Sequence, residues 1–391
     1  MAKTVKRKKK YNNIKNTIYT VSVVIVVVAV VLVGVWNRLF PKDNSPKKQS
    51  AVTVSELNDL TIKFIDVGQG DAILINFPDG KNMIVDFNKC DSAIVDKYLK
   101  KDGKKLTIDY LVATHPDEDH IGQLPYIYEN YDVNYSFRPF VLSENEKSVK
   151  FGSDFNVGVD INKSTKIYHD YIDGVYNEDK TAWEFFTDKS DFSCAVTYGE
   201  STYTYSVDFA MPYADTTDGF KDFKDANDFS AIIMIEYCGK KILLMGDAES
   251  HNDNGAEDKF VTANQYNKAV DCDVLKVGHH GSNTSSSLDF LNLVRPEYAV
   301  ISCGAGNTYS SPSKTNSHPD VTTIDKLINL QSEVYRTDLQ GTVTLTVNCL
   351  GEINFAVETH ENDGYLLQDG HTVYNNESEI NANKEKARKK S

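Results

Sequence analysis

No Cys-x-x-Cys spacing joins the six cysteines, no Gly-rich phosphate loop or Ser-His-Asp order occurs, and no segment repeats at a fixed period. These absences argue against a nucleotide-phosphate loop, a serine nucleophile and a solenoid. Basic charge is scarce: 42 Lys and Arg face 56 Asp and Glu, for a net charge of −14. Residues 1–50 carry about +10, which leaves about −24 for the rest. A domain that acidic repels polyanions unless a local basic groove offsets it. Cys90, Cys194, Cys238, Cys272, Cys303 and Cys349 are an even set that would permit disulfides outside the cell, but sequence does not give the pairing. Free buried thiols are an equally good reading, and Cys238, inside an apolar run, reads as a small core hydrophobe.

The chain is 40% hydrophobic and 11% aromatic, the composition of a globular protein. Its N-terminus stands apart. Residues 1–17 hold Lys3, Lys6, Arg7, Lys8, Lys9, Lys10 and Lys15, and the uncharged run IYTVSVVIVVVAVVLVGVW follows at 18–36. Roughly 19 residues at about 1.5 Å each span about 28 Å, close to a bilayer's hydrocarbon thickness. In lipid only a helix satisfies such a segment's backbone, and Trp36 sits where an interfacial aromatic belongs. The basic segment is expected in the cytoplasm and the remaining chain outside the cell, on a single-pass cell-membrane anchor. A cleaved signal peptide is the weaker reading, because the run is long and no A-x-A-like site follows.

Residues 37–59 read as a linker, 60–358 as one catalytic domain and 359–391 as a polar tail. Residues 60–88 read as two strands around the turn Pro78-Asp79-Gly80, and helices are expected at 91–102, 285–293 and 320–331. Segment 130–225, poor in regular signals, reads as a mostly β insertion. Strand, helix and strand in succession point to a layered α/β fold.

Four polar clusters each end an apolar strand: MIVDFN, YLVATHPDEDH, ILLMGDAE and VLKVGHH. In layered α/β folds such ends gather at one edge, where sites form. Imidazoles and carboxylates converging there suit Zn, Mn or Fe. His115, Asp117, Asp119 and His120 can face one point if their segment is a tight turn opening a helix. Two ions sharing a carboxylate could then clamp a hydroxide.

The set Asp86, His115-x-Asp117-x-Asp119-His120, Gly246-Asp247 and His279-His280-Gly281-Ser282, with FIDVGQGDAILI and VYRTDLQGTVTLT, resembles the metallo-β-lactamase fold. Within it, the set is similar to the soluble catalytic domain of ComEC-type DNA-uptake proteins. The resemblance implies a four-layer αββα sandwich with two divalent metal ions, Zn or Mn. His115 and Asp117 would hold one ion, Asp119, His120 and one histidine of the pair the other, and Asp247 would bridge them. His279 is favoured slightly over His280 because it follows the strand more closely. Asp119 and Asp247 would act in catalysis, and Asp86 would orient the ligand loop. Asp117 stands where the commoner pattern has histidine, a harder ligand that favours Mn. Asn227 or Asp228 lies where that pattern has another histidine, which leaves one ion loosely held or bound only with substrate. His318 matches a His-Pro element of the same branch and could protonate a leaving oxygen or hold a phosphate. Asp71, Ser230 and Ser282 are expected to orient groups by hydrogen bonds, and Gly68 and Gly70 to allow a tight loop.

The implied function is a membrane-anchored extracellular phosphodiesterase, including a nuclease acting on DNA. One alternative is a phosphorylcholine-type esterase on cell-surface polymers, for which some of the 22 tyrosines would form an aromatic cage. The other is a non-catalytic metal-binding surface protein.

Overall fold

The computed structural model describes residues 51–358 apart from 102, 144–145, 147–149, 152–153, 156–164, 178–180, 188–189, 211–222, 224–225, 252–254, 267 and 305–317. The chain divides into Met1–Lys42 and Asp43–Ser391, and the described residues all lie in the second unit. The basic segment 1–17, the expected membrane helix 18–36 and the tail 359–391 lie outside them. Among the described residues, no helix is long and apolar enough to cross a membrane.

In chain order the sheet strands are β1 (Val52–Thr53), β2 (Leu60–Phe64), β3 (Ala72–Asn76), β4 (Asn82–Phe87), β5 (Ile108–Val112), β6 (Val133–Arg138), β7 (Ala182–Phe185) and β8 (Phe192–Tyr198). They continue with β9 (Ser201–Phe209), β10 (Ile233–Tyr237), β11 (Lys240–Leu244), β12 (Val274–Lys276), β13 (Tyr298–Ile301), β14 (Glu333–Arg336), β15 (Val343–Val347) and β16 (Ile353–Val357). One eight-stranded sheet has the order β7-β6-β5-β4-β3-β2-β15-β16 and the other β1-β8-β9-β10-β11-β12-β13-β14. The two are built alike. An antiparallel run, β2-β3-β4 or β9-β10-β11, passes through a helical crossover into parallel strands, β5-β6 or β12-β13.

The strand β4 is buried along its whole length and β12 likewise, as strands covered on both faces must be. Between the sheets lies an aromatic layer. Phe77 stacks on Tyr205 at 4.5 Å, Tyr110 meets Phe192 at 4.7 Å and Phe137 meets Phe209 at 4.9 Å. Each such pair adds about 0.5–1.5 kcal/mol beyond its area burial. The α-helices among the described residues are α1 (Ser92–Leu99), α2 (Glu118–Ile121), α3 (Leu124–Asn130), α4 (Lys166–Asn177), α5 (Ala256–Asn264), α6 (Leu288–Val294), α7 (Val321–Asn329) and α8 (Thr337–Gln340). Local chemistry starts them: Asp91 caps α1 through the Ala93 amide, and Asp320 caps α7 through the Thr322 amide.

Three expectations change. Residues 60–88 form three strands, because Gly68 and Gly70 at φ 77° and 128° break the first run into a loop. Segment 130–225 does not stand apart from the domain where it is described: β6 and β7 extend one sheet, and β8 and β9 belong to the other. The end of the expected linker also joins a sheet, since β1 pairs with β8.

Candidate metal centre

The four clusters meet at the carboxyl ends of neighbouring strands. Asp86 closes β4 at φ 58°, and β5 runs into Thr114 and His115. Asp117 occupies the N-cap of α2, which carries Asp119 and His120. Asp247 follows β11 after Gly246, and a 3-10 turn at Gly278–Gly281 follows β12.

The His120 Nδ1 lies 2.7 Å from Asp86 Oδ2, which leaves Nε2 3.2 Å from Asp247 Oδ2 and 3.3 Å from His280 Nε2. In His280 the Nδ1 donates to the Ser302 carbonyl at 3.0 Å. Its Nε2 therefore faces Asp247 Oδ2 at 3.3 Å and Asp119 Oδ2 at 3.5 Å. His115 Nδ1 meets Thr114 Oγ1 at 3.0 Å, and its buried Nε2 has no hydrogen-bond partner. That nitrogen lies 3.8 Å from Asp117 Oδ2 and 4.0 Å from Asp247 Oδ2. Two overlapping sets thus have ligand spacing: His115, His120 and Asp247, and Asp119, His120 and His280.

Burial alone would raise the Asp247 carboxyl, but His120, His280 and His279 outweigh it and hold it well below the usual carboxylate range. Burial would lower His280, yet Asp247 and Asp119 push it up to about 9. His120 also ends high against its burial, through Asp247 and Asp86. Burial and His120 together hold His115 down at about 4. A pocket of this potential draws positive charge, and its imidazole nitrogens and carboxylates are the donor set of a divalent cation.

The surrounding groups hold these ligands in place. Asp86 accepts from the Thr114 amide at 2.8 Å and the Thr114 hydroxyl at 2.6 Å as well as meeting His120. Asp71 pairs with the fully buried Lys276 ammonium at 2.5 Å and lies 3.6 Å from His280 Nδ1. Asp71, Asp86 and His120 also have ligand spacing. With Asp86 engaged three times and Asp71 held by Lys276, that third set is support rather than a site. The Ser230 hydroxyl accepts the Asp247 amide at 3.0 Å. A Cβ on Gly70 would lie 2.2 Å from the Asp119 carbonyl, so only glycine lets this loop pass beneath the ligand turn.

At the rim stands His279, whose Nδ1 is 2.5 Å from Glu249 Oε1 and whose Nε2 is 3.9 Å from Asp247. The slight preference for His279 gives way to geometry. The turn holds both histidines at positive φ, 44° and 51°, and this twist sends the second ring inward. Asp228 is buried 3.9 Å from His251 Nε2, on the Glu249 side and outside the ligand sets. Asn227 is half-buried in the 3-10 turn before Ser230. The Ser282 hydroxyl contacts Thr284 at 2.9 Å. His318 is buried, its ring 4.6 Å from that of His279, and burial with the neighbouring imidazoles lowers it to about 3. Gln69 fixes its tautomer: Gln69 Oε1 accepts the Gly304 amide at 3.2 Å, so Nε2 donates to His318 Nδ1 at 3.3 Å.

Residues 65–139, which contain the ligand turn, match the model of the metallo-beta-lactamase superfamily. The chain carries a metallo-beta-lactamase domain. ComE operon protein 3 of Bacillus subtilis (strain 168) is 23% identical over 302 residues, covering 72% of this chain and 32% of that protein. Competence protein ComA of Neisseria gonorrhoeae is 40% identical over 90 residues, 23% of this chain and 12% of that one. The chain therefore spans less than a third of either curated relative over the matched region. Among solved structures, the metallo-beta-lactamase fold protein YhfI of Bacillus subtilis aligns with a TM-score of 0.40 at 10% identity, covering 76% of this chain and 100% of that one.

Sequence reasoning missed four supports of the metallo-beta-lactamase site: Lys276, Thr114, Glu249 and Gln69. Only Lys276 left a signal, a lone cation inside the apolar strand VLKV.

Proposed function

We propose that this chain is a membrane-anchored, metal-dependent phosphodiesterase, with residues 18–36 in the cell membrane and the metallo-beta-lactamase domain outside the cell. The observation that carries the reading is the convergence of His115, His120 and His280 on the Asp247 carboxylate, with Asp117 and Asp119 on the half-exposed side. His115, Asp117 and Asp247 would hold one divalent ion, and Asp119, His120, His280 and the shared Asp247 a second, Zn or Mn. Such ions supply Lewis acidity toward a phosphoryl oxygen and neutralise the charge that develops there.

The chain's own residues do the positioning. Asp86 and the Ser302 carbonyl fix the tautomers of His120 and His280 so that each presents Nε2. His318, held neutral and accepting from Gln69 at Nδ1, would help hold a substrate phosphate oxygen. The resemblance of the motifs to ComEC-type DNA-uptake proteins favours DNA as the phosphodiester, and ComA of Neisseria gonorrhoeae is named a competence protein. The acidic domain favours weak, salt-sensitive engagement of that polyanion. An aromatic cage would have to be built without Tyr110, Tyr128, Tyr168, Tyr171, Tyr205 and Tyr237, which are core residues.

The test is metal content of the purified full chain together with hydrolysis of bis-p-nitrophenyl phosphate. Retained metal and turnover, both lost in Asp247→Asn, are the expected result. A chain that takes up no metal and has no turnover removable by that substitution is the non-catalytic protein instead. Single-stranded DNA set against p-nitrophenyl phosphorylcholine then separates the substrates.

A further inference from the structure

At the strand ends opposite the metal centre, two hairpin turns from different sheets meet, and each carries a cysteine. Cys238 forms the β10–β11 turn at φ 48°, followed by Gly239 at φ 77°. Cys349 lies in the β15–β16 turn, which closes with the Gly351 amide donating to the Asn348 carbonyl at 2.9 Å. The turns touch. A Cβ on Gly351 would come within 2.6 Å of the Cys238 carbonyl oxygen, so the two backbones are in contact two residues from Cys349. Both thiols are half-buried, neither sealed in the core nor fully in solvent.

The buried Tyr237 hydroxyl sits beside both. Its own burial raises it above the ordinary phenol range, and Cys238 and then Cys349 add to that. Burial raises the Cys238 thiol as well, opposed by the Tyr237 hydroxyl and reinforced by Cys349. The other four cysteines have no such companion. The charges acting on Cys90, Cys194, Cys272 and Cys303 come from Asp, Lys, Arg or Tyr side chains.

We propose that Cys238 and Cys349 are a cross-linking site, joined by a disulfide that staples the β10–β11 turn of one sheet to the β15–β16 turn of the other. The oxidant is a small-molecule disulfide. One cysteine thiolate attacks its S–S bond and releases one reduced thiol, and the second thiolate attacks the mixed disulfide and releases another. Two protein S–H bonds become one S–S bond, and the reagent is reduced to two thiols. The raised Cys238 thiol makes this exchange faster as pH rises. The link closes a loop of about 110 residues, a length at which a disulfide strongly restrains the unfolded chain. It involves no residue of the metal centre and stands independently of the hydrolase reading.

The experiment incubates the full chain with glutathione disulfide at mildly alkaline pH, then alkylates, digests and maps the peptides. The expected result is a drop of two in the six thiols titratable in denaturant, one linked peptide pair spanning positions 238 and 349, and a higher Tm than the reduced protein. In C238S or C349S the remaining cysteine should appear free or as a glutathione adduct, with no cross-link and no gain in Tm. Recovery of both cysteines from the parent chain as free thiols or separate adducts overturns the proposal, as does a link from either to another cysteine. The parent map decides even if a serine variant fails to fold.

Discussion

Asp86 and Asp247 occupy equivalent places, each at the end of the antiparallel strand that leads through a helix into the parallel part of its sheet. Their surroundings differ. Asp86 is saturated by two bonds from Thr114 and one contact with His120, and so acts as a bracket. Asp247 keeps a buried Oδ1 without a hydrogen-bond partner, while its Oδ2 faces imidazole nitrogens from both sheets. The two ligand loops differ in the same sense. The first is an ordinary helix start whose Asp117 and Asp119 side chains stay 44% and 38% exposed. The second is a turn at positive φ that buries His280 completely. One topological position can thus bind or support, depending on how many local donors reach it.

The largest effect is expected where the comparison is sharpest. Asp247→Asn should abolish metal retention and cut phosphodiester turnover by about a thousandfold or more, since it removes the shared carboxylate. Elemental analysis and a bis-p-nitrophenyl phosphate assay check it, and a variant that keeps its metal would end the distinction drawn between the two aspartates. Next, Lys276→Met should destabilise the fold by about 3–5 kcal/mol, because Asp71 loses its partner while remaining buried. Chemical denaturation measures this, with Asp71→Asn/Lys276→Met recovering most of the loss.

Asp86→Asn should be milder, weakening metal affinity by about 10–100-fold while the ligands stay in place. A competitive chelator titration of both aspartate variants would collapse the comparison if they lost equal affinity. For the metal-free protein the sign follows from His280. Its pKa is raised from 6.5 to about 9, so its stabilising contribution is complete below pH 6.5 and is lost as pH rises through about 9. His115, lowered to about 4, removes stability as pH falls from 6.5 toward 4. The Tm of chelator-treated protein should therefore peak near pH 6.5 and fall on both sides, and a Tm that climbs steadily to pH 9 contradicts it. The smallest effect is one of preference: Asp117→His should shift selectivity toward Zn over Mn, read from competition between the two ions.

The ligand turn was legible because its chemistry is local. His115, Asp117, Asp119 and His120 fall within one strand-to-helix junction, and Asp247 and the histidine pair end apolar strands of the same kind. Boundaries were less legible where long-range pairing decides. Segment 130–225 has weak periodicity, yet β6 aligns with β5 and β9 with β10, so partners that are distant in sequence supplied the order that its own pattern lacked. Asp228, read as standing where the commoner pattern has a histidine, turned instead toward His251, which also meets Glu249.

By itself the sequence determined which residue types stand at the strand ends and at what spacing, since apolar runs, helix starts and glycine turns are set by near neighbours. Tertiary structure alone decided that His280 comes closer to Asp247 than His279 does, at 3.3 against 3.9 Å, that Lys276 neutralises Asp71 beneath the site, and that Gln69 sets the tautomer of His318. Each of these depends on a ring or a charge meeting a group dozens to hundreds of residues away. Such a meeting is fixed by backbone twist and burial, which no local pattern encodes.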